Sequence, residues 1–149
     1  MPESLDSLVK AGRLRGEPTS RQEIGRFLAI AETSLADAAI AGLSPAGRFK
    51  HAYDAAHALA LCALRAHGLR PASVPGHRAI VFQALAMTLG AERPLWSTLE
   101  LYHMRRNKSE YEGMSTVSDA EARELVSLAS TLRDRLVEWL KANRPALMR

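Results

Sequence analysis

The chain has a single cysteine, Cys62, so no disulfide can close within it; its place in an alanine-rich apolar stretch marks it as a small core residue and its compartment as reducing. Aromatic residues make up only 5% of the 149 positions, β-branched residues are few, and alanine and leucine fill much of the 47% that is apolar. That composition speaks against a sheet and for packed helices. No apolar run reaches the roughly 18 to 20 residues that a membrane span requires, and Met1-Pro-Glu-Ser4 is not the basic-then-apolar opening of a secretion signal. The expected setting is the cytoplasm, with no membrane. No segment repeats at a fixed period.

Chemical signatures are scarce as well. The histidines do not stand at ligand spacing with carboxylates or cysteines, so no metal is expected. No glycine-rich loop opens a helix and no serine stands in a nucleophile elbow, so neither a resident cofactor nor a standard triad is expected. A formal net charge of +4 permits an anionic partner such as RNA, but the cations are spread along the chain among carboxylates and do not demand one.

What the sequence does have is helical periodicity, over a length that suits one domain with its own core. Residues 1–18 hold one short apolar motif, Leu5, Leu8 and Val9, and a glycine- and proline-punctuated connector, which reads as a short helix and a loop. Residues 19–142 carry the bundle. Thr19 or Ser20 can cap the first long helix, with Glu23 three residues after Ser20 placed to complete a capping box, and Ile24, Phe27, Leu28, Ala31, Leu35, Ala38 and Ala39 follow at helical spacing. Ser44-Pro45 opens a second helix to His67 that is apolar all round, the mark of a central or interface helix. His57 on that helix reads as a structural histidine. Gly68 stops the helix and residues 70–75 form a loop. A shorter helix runs from His77 to Gly90, another starts at Pro94, and a last one, capped by Ser118 with Glu121, runs to Ala142. Residues 143–149 are expected to fray. The fold class is all-α, a four- to five-helix antiparallel bundle.

The polar stretch Leu101-Tyr-His-Met-Arg-Arg-Asn-Lys-Ser-Glu-Tyr-Glu-Gly113 ends the Pro94 helix. Arg105, Arg106 and Lys108 sit there among Tyr102, His103, Asn107 and Tyr111, a mixture that can bind phosphate beside a hydroxyl or an aromatic ring. At about 100° per residue, Arg106 shares a face with His103 and Glu110, while Tyr111 falls about 140° away. The bland alternative is a solvated helix end with an Arg106–Glu110 pair and a core Tyr111.

Taken in order, Arg48-Phe-Lys-His-Ala-Tyr-Asp-Ala-Ala-His-Ala-Leu-Ala-Leu-Cys-Ala-Leu-Arg-Ala-His-Gly68, Gly76-His77, Arg106-Asn-Lys-Ser-Glu-Tyr111 and Val117-Ser-Asp-Ala-Glu-Ala122 resemble the HEPN superfamily (higher eukaryote and prokaryote nucleotide-binding), stand-alone bacterial type, over roughly residues 20–142. The resemblance implies a HEPN-like helical bundle and a homodimer that binds RNA or nucleotide. It also implies a nucleotidyltransferase partner in a toxin–antitoxin or defence system. Active members are metal-independent RNases in which the histidine of an Arg-x(4–6)-His motif does acid–base work and its arginine stabilises the phosphorane. Arg106 and Asn107 match the opening of that motif, but Tyr111, Glu112 and Gly113 stand where its histidine belongs. A phenol with a pKa of about 10 is a poor base at neutral pH.

Two functional readings follow from the resemblance. One is a binding module that uses Arg105, Arg106, Asn107 and Lys108; the other is an RNase that uses Arg106 with His103 or Tyr111. A purely structural oligomerisation bundle is the third reading. In a homodimer the 46–67 helix and the 96–106 helix are expected at the two-fold interface, bringing both copies of Arg105 and Arg106 to one cleft.

Overall fold

The computed structural model describes residues 4–73, 77–112 and 117–148, with their side chains except those of 77–79 and 107–112. Helix α1 (Leu5–Lys10) leads to a short strand β1 (Leu14–Gly16), then α2 (Arg21–Ala38), α3 (Pro45–Ala66), strand β2 (Leu69–Pro71), α4 (His77–Gln83), α5 (Leu85–Thr88), α6 (Arg93–Glu112), α7 (Asp119–Asn143) and a 3-10 turn, Pro145–Met148. The chain is mostly helical, as its alanine and leucine content requires.

The helix starts follow from local chemistry. Ser20, Ser44 and Ser118 each accept a backbone N–H from the third residue on, and Pro45 occupies the first turn of α3. Ser118 and Glu121 form a full capping box. At α2 the box is half made. The Glu23 N–H reaches Ser20 Oγ, but its carboxylate turns away to Thr19 Oγ1 at 2.6 Å and to Arg65. Gly68 and Gly90, with φ of 72° and 63°, end the helical runs before them in a conformation that a side chain would strain.

Helix α3 is the hub. Seven alanines with Phe49, Tyr53, Leu59, Cys62 and Leu64 bury it against α2, α7 and the α4–α6 region. The first turn of α3, and beyond it Lys50, His51, Asp54, His57 and Leu61, are in part open to solvent, and a shallow surface groove between α2 and α3 opens along Asp54, His57 and Leu61. The apolar circumference that suggested an α3 interface is thus covered within the chain. Direction follows from the end contacts. Glu23 near the start of α2 meets Arg65 at the end of α3, so these two run antiparallel. Helices α3 and α7 run in the same direction, because Arg48 meets Asp119 at one end (3.7 Å) and Arg144 donates to the Ala66 carbonyl at the other (2.7 Å). Antiparallel neighbours therefore hold for α2–α3 and not for α3–α7.

Two segments outside the long helices are more ordered than their sequences announce. Strands β1 and β2 pair antiparallel with Arg15 opposite Arg70, and Leu8 and Leu14 join Leu64, Ile80 and Ala84 in a second small core. At the other end, Leu147 is buried against the bundle. Arg65 fastens the ribbon. Only 5% exposed, it donates from Nε to Glu23 (2.9 Å), from Nη1 to the Glu17 and Leu69 carbonyls (2.9 and 3.1 Å) and from Nη2 to the Pro18 carbonyl (2.7 Å). Those carbonyls belong to the segment that follows β1 and to the start of β2, and their contacts with the guanidinium are part-buried.

Candidate functional site

Helix α6 buries Leu95, Leu99, Tyr102 and His103 and exposes Leu101 and Met104 at 64% and 59%. Successive positions on it therefore point to different neighbours.

Tyr102 and Arg105 turn toward α7. The Tyr102 ring meets Phe49 edge-on at 5.8 Å, and its hydroxyl donates to the Glu124 carboxylate. Burial first, and that carboxylate second, raise the phenol well above its ordinary value. Arg105 forks onto Glu121, Nη1 to Oε2 at 2.5 Å and Nη2 to Oε1 at 3.2 Å. The Ser118 backbone N–H above all, and then Arg105, hold the Glu121 carboxyl below its usual range. These contacts tie α6 to the start of α7.

His103 and Arg106 turn the other way, to α3. Nδ1 of His103, in a residue only 5% exposed, lies 2.6 Å from the Tyr53 hydroxyl. The Arg106 guanidinium carbon lies 4.7 Å from the centre of the same tyrosine ring, inside the range of a cation–π contact. Phe82 of α4 completes the nest: its ring is 6.1 Å from Tyr53, 6.1 Å from His57 and 6.0 Å from His103, and His57 stacks on Tyr53 at 5.8 Å. The helical-wheel expectation that His103 and Arg106 share a face is thus met through a third residue. The two arginines, by contrast, diverge in the single chain, Arg105 to Glu121 and Arg106 to Tyr53. Asn107, Lys108 and Tyr111, and the expected Glu110 pairing, lie outside the described side chains.

Tyr53 is the site residue that the sequence did not single out. It falls in α3's apolar stripe beside Phe49 and Ala56, where its ring looks like packing. The signal was its hydroxyl, because a buried tyrosine needs a hydrogen-bond partner and α6 offers a histidine.

No family model, curated protein or solved structure matches this chain. The site's chemistry is therefore what carries a functional reading. A guanidinium over an aromatic face directs its donors sideways in its own plane, suited to phosphate or carboxylate oxygens, and stacking reduces the freedom it would lose on binding. The buried imidazole beside it has one nitrogen engaged by a phenol. Among the described residues, no group of three or more histidine, cysteine or acidic side chains is placed to hold a metal ion, and no helix is long and apolar enough to cross a membrane.

Proposed function

We propose that the chain is a HEPN-like helical module that binds the phosphate of RNA or of a nucleotide at Arg106, acts as a homodimer, and works beside a nucleotidyltransferase in a toxin–antitoxin or defence setting. One observation carries the binding part: Arg106 is seated 4.7 Å over the ring of Tyr53, whose hydroxyl meets His103. This places a permanent cation and an imidazole on one aromatic platform at the start of the Arg106-Asn-Lys-Ser-Glu-Tyr111 run. The dimer part draws on Leu101 and Met104, which form an exposed apolar ridge on α6 between two surface grooves of about 410 and 650 Å³. With most of the apolar circumference of α3 covered within the chain, the interface is assigned to α6.

Binding of a labelled single-stranded oligoribonucleotide tests the reading. Arg106→Glu should weaken it at least tenfold, because a charge-assisted hydrogen bond of about 1.5–3 kcal/mol is lost and a repulsion gained. Circular dichroism should keep its helical signal. Equal affinity for wild type and variant would remove Arg106 from the site, and a strictly monomeric species at micromolar concentration would remove the dimer. The RNase reading draws on the Tyr53–His103 hydrogen bond, which could hold the imidazole ready for proton transfer. Under it, RNA is cut in the presence of a chelator to leave 2′,3′-cyclic phosphate, and Arg106→Ala abolishes the cut.

A further inference from the structure

On the α4 side of the Leu101–Met104 ridge, the groove of about 410 Å³ is lined by Gln83, Trp96, Ser97 and Glu100, with the exposed Arg93 beside them. Trp96 is half-buried, packed against the main core and open to the groove. The Arg93 guanidinium carbon lies 5.8 Å from the centre of its ring, an exposed cation–π contact that can yield to a flat ligand. The polar groups converge as well. Gln83 Nε2 donates to Glu100 Oε1 at 3.1 Å, which ties the carboxylate to α4 and fixes its place in the groove. Among the described residues no other hydrogen bond engages that carboxylate. A carboxylate only accepts, and it can take two parallel N–H bonds across its two oxygens. An indole face takes a planar partner. The ligand that satisfies both is flat and carries two adjacent N–H donors on one edge.

We propose that this groove is a subsite for a guanine base, which stacks on Trp96 and donates its N1–H and exocyclic N2–H to the Glu100 carboxylate, with Gln83 as the positioning residue of that carboxylate. The other bases fit the edge poorly. Adenine and cytosine set a lone-pair nitrogen beside their amino group, and uracil flanks its single N–H with two carbonyls, so each turns an acceptor toward the carboxylate. Stacking supplies affinity to any base, and Glu100 supplies the choice among them. The subsite deepens the RNA- or nucleotide-binding reading given above and rests on it for its biological meaning. It is physically separate from the proposed phosphate contact. Arg106 follows Glu100 by six residues, about 9 Å along α6 and about 120° round it, so one helix would read a base and a phosphate with different turns.

Guanosine is the probe, because it carries the base without a phosphate. Guanosine, adenosine, cytidine and uridine are titrated by calorimetry into wild type, Trp96→Leu, Glu100→Gln and Arg106→Glu, with circular dichroism to confirm that each is folded. Wild type should bind guanosine roughly tenfold or more tighter than the other three. Trp96→Leu should weaken guanosine roughly tenfold, the worth of one base stacked on an aromatic ring. Glu100→Gln should bring guanosine and adenosine to within about twofold of each other, since an amide offers one acceptor and one donor edge in place of two acceptors. Should Trp96→Leu fail to fold, Glu100→Gln decides alone. Equal affinity for all four nucleosides in wild type, no binding of any, or a guanosine preference kept in Glu100→Gln overturns the subsite. Arg106→Glu should bind guanosine like wild type. If guanosine behaves as expected while the oligoribonucleotide binds wild type and Arg106→Glu equally, the phosphate site fails and the base subsite stands; if Arg106→Glu weakens the oligoribonucleotide and guanosine does not bind, the reverse holds.

Discussion

Replacing Arg65 by alanine should cost about 4 kcal/mol of stability. Arg65 is 5% exposed, and its guanidinium serves three backbone carbonyls, of Glu17, Pro18 and Leu69, besides the Glu23 carboxylate. Each of the three part-buried carbonyls that loses its donor costs about 1 kcal/mol, and loss of the part-buried pair with Glu23 adds about 1 kcal/mol more. The contact to Glu17 Oε2, at 3.4 Å on a side chain 40% exposed, adds little. Set against a total stability of about 5–15 kcal/mol for a domain, this loss brings the variant close to unfolding. Arg65→Lys should lose about half as much, since an ammonium keeps the charge but cannot fork to four acceptors. Urea unfolding followed by circular dichroism measures both variants, and the pH dependence supplies an independent sign. Burial alone would raise the Glu23 carboxyl, but hydrogen bonds from Thr19 and Arg65 outweigh it and hold the group below its ordinary value. The stability this confers is complete above the unfolded value of 4.5 and is lost as pH falls through the lower folded value. Arg65→Ala should therefore flatten the acid limb of the stability curve. A loss under 1 kcal/mol with an unchanged acid limb would show that water replaces the guanidinium freely and that Arg65 does not fasten the ribbon.

Two further perturbations have equally direct readouts. Burial in the first place, with Glu23 nearby, pushes the Cys62 thiol up to about 12, so the native protein should resist a thiol reagent at pH 8 and react fully once unfolded; rapid native labelling would contradict its place in the core. Leu147→Ala should cost about 2 kcal/mol in the same urea assay, because this side chain is 9% exposed and anchors the last turn to the bundle, and a variant as stable as wild type would mean that the turn contributes nothing.

The parts of the fold that were legible in the sequence are those set by local chemistry. Ser20, Ser44-Pro45 and Ser118 mark helix starts, Gly68 and Gly90 mark ends, and the spacing from Ile24 to Ala38 and from Ala122 to Leu140 marks buried faces. The β1–β2 ribbon was hidden because three residues are too few to show alternation, and because the pairing of Leu14 with Pro71 is a long-range event. The common direction of α3 and α7 was hidden for the same reason, since it depends on which ends meet and not on either helix alone. The all-round apolar face of α3 showed that the helix would be covered; it could not show that α2 and α7 do the covering. At the site, the helical wheel placed His103 with Arg106, but the side chain that joins them sits 50 residues upstream of His103. In a single sequence a packing tyrosine and a hydrogen-bonding one look alike.

The alanines of α3 are a ruler as well as a core. Because these side chains end at Cβ, neighbouring helices can come close to α3. A bulkier residue at Ala56 would act like a shim. It would push on the packing around Tyr53 and open the 2.6 Å contact to His103 without touching either partner. The outer side of α6 obeys no such tolerance, because Leu101 and Met104 face outward and can change size without moving any helix axis. The molecule thus has a stiff side, where geometry is kept by the absence of volume, and a permissive side, where substitutions can accumulate and alter what the surface meets while the Arg106 cluster keeps its shape.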